Sequence, residues 1–144
     1  MKRDEAIAPL SRDHHATLIL AQLLKKNAPA YKGLPTTGAD KAKYAQEQFA
    51  AHIKKHFQQE ETILNNIKDT DSEIAKLSEE IKNEHRQIAD LFFSLDTATD
   101  LENTMNTLGM ALEKHIRKEE RILFPLLQLH CSEEQLQEIY KLLH

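Results

Sequence analysis

Apolar residues recur at steps of three and four along most of the chain, the spacing of helices that each bury one face. The first such stretch starts near Leu10 or Ser11 and runs to about Asn27, with Ser11 as the expected N-cap and Asp13 favourable in the first turn. Pro29 stops it, and the segment from Asn27 to Asp40, which holds Pro29, Gly33, Pro35 and Gly38, is the strongest loop signal. A second helix is expected from about Asp40 to Lys68. Its inner face reads Phe49, Ile53, Ile63, Leu64 and Ile67, with His52, His56 and Glu60 on the same side. After a break and cap at residues 68–72, a third helix runs from about Ser72 to Leu95 through Ile74, Leu77, Ile81, His85, Ile88, Phe92 and Leu95. Thr99 with Glu102 forms a capping-box pattern ahead of the fourth. That helix runs to about Gln128 with Leu101, Met105, Leu108, Leu112, His115, Glu119, Ile122 and Leu126 inward, and Pro125 is expected to bend or fray its last turn. Ser132 and Gln135 suggest a cap for a terminal helix over about 132–143, with Leu136, Ile139, Tyr140 and Leu143 along it.

The connections after the second and third helices are short, and short connections make antiparallel neighbours. The expectation is an all-α protein: an up-down-up-down four-helix bundle over about residues 10–128 with a short extra C-terminal helix, all within a single domain, 1–144. The scarcity of breakers, 3 Gly and 4 Pro, agrees with long helices.

Polar residues interrupt the apolar faces in a repeated way. His56-Phe-Gln-Gln-Glu60-Glu61-Thr-Ile-Leu64 matches His115-Ile-Arg-Lys-Glu119-Glu120-Arg-Ile-Leu123. Each copy follows a helix with an acidic-His pair, Asp13-His14 in the first half and Glu84-His85 in the second. A His and a Glu four residues apart lie on one helical face, about one turn apart. Burying such groups without partners is costly, and a metal ion satisfies both. His14, His56, Glu60, His85, His115 and Glu119 therefore form the candidate ligand set, with His15 as the alternative to His14. Two ions suit this pseudo-symmetric set better than one, and mixed imidazole and carboxylate donors favour iron, manganese or zinc over calcium or magnesium. His52, one turn before His56 on the same face, reads as a boundary residue in preference to a partner behind the ligands or a pocket residue. Glu61 and Glu120, rotated about 100° from their neighbours, read as helix-boundary groups placed to orient imidazoles.

These residues, over about 8–128, resemble the hemerythrin-like (HHE cation-binding) domain, most specifically in the two His-x3-Glu-Glu-x2-Leu segments, the second followed by Phe-Pro. The resemblance implies a non-haem di-iron centre, oxo- or hydroxo-bridged and bridged also by Glu60 and Glu119, that takes dioxygen, nitric oxide or peroxide. Oxygen-carrying hemerythrins have a further His four residues after the third-helix ligand, where this chain has Ala89, and an Asp where it has Glu119. The set is thus closer to the four-His, two-Glu bacterial type and to iron–sulfur-cluster repair proteins, whose N-terminal cysteine-bearing domain has no counterpart in these residues. Ligand binding or redox sensing is the first expectation. A di-iron enzyme reducing peroxide or nitric oxide, or a protein that donates iron to clusters, is the alternative, and whether the site turns over stays open.

Composition narrows the rest. A net charge of −4 without a basic block argues against nucleic acid. The single Cys131 excludes an internal disulfide and a cysteine-based zinc site. No apolar run reaches membrane-spanning length and no signal-peptide pattern opens the chain, so a cytosolic protein without membrane contact is expected. Any protein partner is left unspecified.

Overall fold

The computed structural model describes residues 2–144, and all regular structure among them is helical. Helix α1 is Ala8–Leu24. Helix α2 joins Gly38–Gln48, a π-helical turn Phe49–Ile53 and Lys54–Ile67, and a 3₁₀ turn Lys68–Thr70 follows it. Helix α3 is Ser72–Ser94. Helix α4 joins Leu101–Lys118, a π-helical turn Glu119–Leu123 and Phe124–His130. Helix α5 is Glu133–Leu143.

The caps explain most of these limits and correct three expectations. Helix α1 begins earlier than Ser11: Ile7 takes the cap position without a side-chain hydrogen bond, and Pro9 fits the first turn because its missing N–H would be unpaired there. Helix α1 also ends at Leu24, before Asn27, which takes the left-handed backbone that Asn tolerates (φ 62°). The fourth helix is capped by Asp100, which accepts from the Asn103 N–H, rather than by Thr99. Elsewhere Thr37 accepts from the Asp40 N–H, Asp71 from those of Glu73 and Ile74, and Ser132 with Gln135 forms a full capping box.

Pro125 neither frays nor stops α4. It has no N–H to give, and its ring would strike the carbonyl four residues back in a regular helix. The π turn just before it widens the spiral, and the Phe124 N–H donates to Glu119 five residues back. The extra residue advances the register by one. Ile122 therefore turns to solvent (48 % exposed), and the buried Leu123 and Leu127 take the places expected of Ile122 and Leu126.

Helix α4 packs against α1 and α3, α2 packs chiefly on α3, and α5 lies across the Lys54–Ile67 part of α2. Two apolar clusters fill the bundle. One contains Leu20, Leu24, Phe49, Phe57, Ile88, Phe92, Leu108 and Leu112. The other contains Ile7, Leu10, Ile63, Leu64, Ile81, Leu123, Phe124 and Ile139. Every long helix passes from one cluster to the other, and at the crossing each carries a buried His: His14 between Leu10 and Leu20, His56 between Ile53 and Ile63, His85 between Ile81 and Ile88, His115 between Leu112 and Leu123. A polar layer is thus clamped between two dry ones. No helix among the described residues is long and apolar enough to cross a membrane.

Helices α1 and α4 approach closely at Gly109, where a Cβ would sit 2.6 Å from the Ala21 carbonyl oxygen. Alanine would gain about 1 kcal/mol of helix propensity but must push two backbones apart. Gly109→Ala is expected to destabilise the protein by about 1–3 kcal/mol net. Thermal unfolding measures this, and an unchanged or raised midpoint would contradict the packing described.

Candidate metal centre

The polar layer brings together all six residues of the candidate set. His14 comes from α1, His56 and Glu60 from α2, His85 from α3, and His115 and Glu119 from α4, and all six are buried. His15, one residue on, is turned about 100° away and exposed. His52 is exposed as well.

Each imidazole points Nε2 inward. His56 Nε2 lies 3.4 Å and His85 Nε2 3.1 Å from Glu60 Oε1. His14 Nε2 lies 2.9 Å and His115 Nε2 3.5 Å from Glu119 Oε1. Two overlapping groups result, His14–His56–Glu60–Glu119 and Glu60–His85–His115–Glu119, and within each one ligand atom per residue falls inside 4.8 Å of all the others. Glu60 and Glu119 belong to both. Phe57 stacks on His85 with centroids 3.9 Å apart, and Phe124 stacks on His14 at 5.5 Å. Both aromatics lie beside motif residues in sequence, but the repeat alone does not mark them as ring partners.

Each outward Nδ1 faces a second carboxylate, always from the neighbouring helix. Asp13 on α1 meets His56 at 3.0 Å, Glu61 on α2 meets His85 at 2.8 Å, and Glu84 on α3 meets His115 at 2.7 Å. Glu120 on α4 closes the ring toward His14 at 3.7 Å. All four acids adjoin an inner residue in sequence. A carboxylate behind an imidazole fixes its tautomer and makes the inward nitrogen a better donor to a metal.

These carboxylates also govern protonation. Burial alone would push His14 and His56 toward the neutral form, but Glu119 and Glu120 raise His14 to about 9, and Glu60 and Asp13 raise His56 to about 11. His115 moves up against its burial for the same reason, through Glu119 and Glu84. Burial also opposes the charge on Glu60, yet the His56 imidazolium and further hydrogen bonds hold it well below the usual carboxylate range. Glu119 is pushed up, first by burial and then by the charge on Glu60. Glu84 falls to about 2 because His115 and Lys118 outweigh its burial.

Protons alone leave the layer poorly paired. The Nε2 atoms of His14, His56 and His115, one oxygen of Glu60 and both of Glu119 are buried without a well-formed hydrogen bond among the described residues, and are left with ion-pair contacts such as that of His14 with Glu119. Buried polar atoms normally have partners, and a cation set between these would satisfy them together. The residues therefore fit metal ions, and the mixed imidazole–carboxylate donors suit iron, manganese or zinc.

No curated protein and no solved structure matches the chain significantly. The sequence description of the hemerythrin HHE cation-binding domain, by contrast, matches residues 5–141 and so takes in both His-x3-Glu-Glu segments and the helices that face them. The layer of imidazoles and carboxylates is what a cation-binding domain needs at its centre, and the chain belongs to the hemerythrin HHE cation-binding domain family.

Proposed function

We propose that the protein is a non-haem di-iron protein of the four-His, two-Glu kind that binds or senses dioxygen, nitric oxide or redox state. The observation that carries this reading is the pair of overlapping groups that share Glu60 and Glu119, with three of their four inward imidazole nitrogens and both Glu119 oxygens left without a well-formed hydrogen bond among the described residues. His14 and His56 would hold one ion, His85 and His115 the other, and both carboxylates would serve the two together. The imidazole-rich set favours iron or zinc over manganese, and the hemerythrin resemblance favours iron. Bound, the ion pair supplies redox change and open positions for a small diatomic or peroxide ligand.

The chain's own residues do the rest. The outer carboxylates orient the four rings, and Phe57 and Phe124 with the two apolar clusters keep water from the layer. At neutral pH a metal must displace imidazole protons from His14 and His56, so uptake releases protons and strengthens as pH rises. We read the four long helices as an up-down-up-down bundle, a reading supported by the alternating passage between the two clusters. We place the protein in the reducing cytosol, which the free thiol Cys131 supports.

Protein purified without oxygen is expected to carry iron at both groups and to gain visible charge-transfer absorption in air, altered by nitric oxide. Protein that stays metal-free when offered ferrous iron, with unchanged helicity and stability, would overturn the reading. Sustained turnover of peroxide or nitric oxide would make the site catalytic instead.

A further inference from the structure

The repeat pairs each outer carboxylate with an equivalent in the other half of the chain, and in both pairs the contact made to the His14–His56 group is the looser. Glu61 and Glu120 are equivalents. Glu61 lies 2.8 Å from His85 Nδ1 and has no other hydrogen bond or ion pair among the described residues. Glu120 is engaged elsewhere: Ser11 Oγ lies 2.7 and 2.8 Å from its two oxygens, and Arg3 Nε lies 3.6 Å from Oε2. Arg3 also donates to the Glu120 carbonyl and lies over the Phe124 ring. Glu120 stops 3.7 Å from His14 Nδ1, and that nitrogen is buried without a hydrogen-bond partner. It is the one outward imidazole nitrogen of the four in that condition among the described residues.

Asp13 and Glu84 are the other equivalents. Asp13 meets His56 at 3.0 Å with its side chain 55 % exposed, whereas Glu84 meets His115 at 2.7 Å, is 24 % exposed and is held by Lys118. Water competes for the first contact far more than for the second.

We propose that Ser11 and Arg3 detune His14 by holding Glu120 off its outer nitrogen, so that the His14–His56 half binds its ion more weakly than the His85–His115 half. The inference rests on the two-ion reading above. Without a carboxylate hydrogen bond the His14 ring is less firmly oriented and its Nε2 is the poorer donor. The outcome is one retained ion and one exchangeable ion, chosen by residues that touch neither.

Zinc is the probe, titrated against a chromophoric chelator. Because two nearby ions repel, separate steps alone prove nothing, so each half is measured with the other disabled. His14→Ala, which leaves the second half, is expected to bind one zinc about tenfold or more tighter than His115→Ala, which leaves the first. Circular dichroism checks that both retain their helices. In the intact site Glu61→Gln is expected to weaken the tighter step by about 10–100-fold, and Glu120→Gln to change the weaker step by less than about threefold. Both carboxylates sit at the rim, so neither change threatens the core.

The sharpest result is in the other direction. Ser11→Ala with Arg3→Ala frees Glu120 to accept from His14 and is expected to tighten the weaker step by up to about tenfold, with Ser11→Ala alone shifting it the same way by less. Equal halves, equal costs for the two Glu→Gln changes, or a weaker step that loosens or stays put in the Ser11 and Arg3 variants would overturn the inference. Absence of zinc and iron from every form would overturn the two-ion reading itself.

Discussion

A chain carrying both His56→Ala and His115→Ala is expected to lose metal from both groups while keeping its helices. Each change removes one of the two imidazoles in a half, leaving one ring and the shared carboxylates Glu60 and Glu119. One imidazole with two carboxylates is a harder, poorer donor set for iron or zinc than two imidazoles with the same carboxylates. The helices are expected to persist although buried Glu60 loses a partner, since the two apolar clusters lie above and below the layer and hold most of the buried side chains. The matched control is His15→Ala with His52→Ala, both exposed, which should retain full metal. Elemental analysis and the visible spectrum report the loss. A double variant that still holds both ions after dialysis would remove His56 and His115 from the ligand set.

What the sequence made legible was the inward set, because a buried His or Glu breaks an apolar series visibly and the break occurs twice. His14 could be preferred to His15 from the face it shares with Leu10 and Thr17, and its burial agrees. The outer carboxylates were half legible. Asp13, Glu61, Glu84 and Glu120 each adjoin an inner residue, but a neighbour turned about 100° on a helix points at the next helix, not along its own. Which imidazole each serves depends on helix order around the bundle, and no single helix encodes that. The two π turns were not legible as such. Pro125 signals a disturbance, yet whether a helix frays, kinks or widens is decided by what the following residues bury. Here Leu123, Phe124 and Leu127 bury themselves in the second cluster, and widening keeps them there. The π turn Phe49–Ile53 has no proline to announce it.

The metal-free protein offers the other large effect, at Glu60. This carboxylate is fully buried, 3.4 Å from His56 and 3.1 Å from His85, and without metal it is the chief counter-charge to the His56 imidazolium. Glu60→Gln keeps the shape and removes the charge. Breaking a buried pair at one partner costs about 3–5 kcal/mol, because the remaining charge is left in a dry site. For a chain of this length the unfolding midpoint should fall by roughly 10 °C or more. The pH dependence has a definite sign. His14 and His56 have folded values raised above 6.5, so their pairing contributes fully below about 6.5 and is lost as pH rises through about 9 and then about 11. Glu60 is lowered from 4.5, so its part is present above 4.5 and is lost as pH falls through its depressed value. The gap between native sequence and variant should therefore be widest between pH 4.5 and 6.5 and close on both sides. Bound metal reverses the alkaline arm, since ligation requires unprotonated Nε2 and gains from every rise in pH that removes those protons. Melting curves of chelator-treated protein across this range, repeated with zinc restored, separate the two states. A gap that widens steadily toward pH 10 in the metal-free form would show that Glu60 does not serve as the counter-charge to these imidazoles.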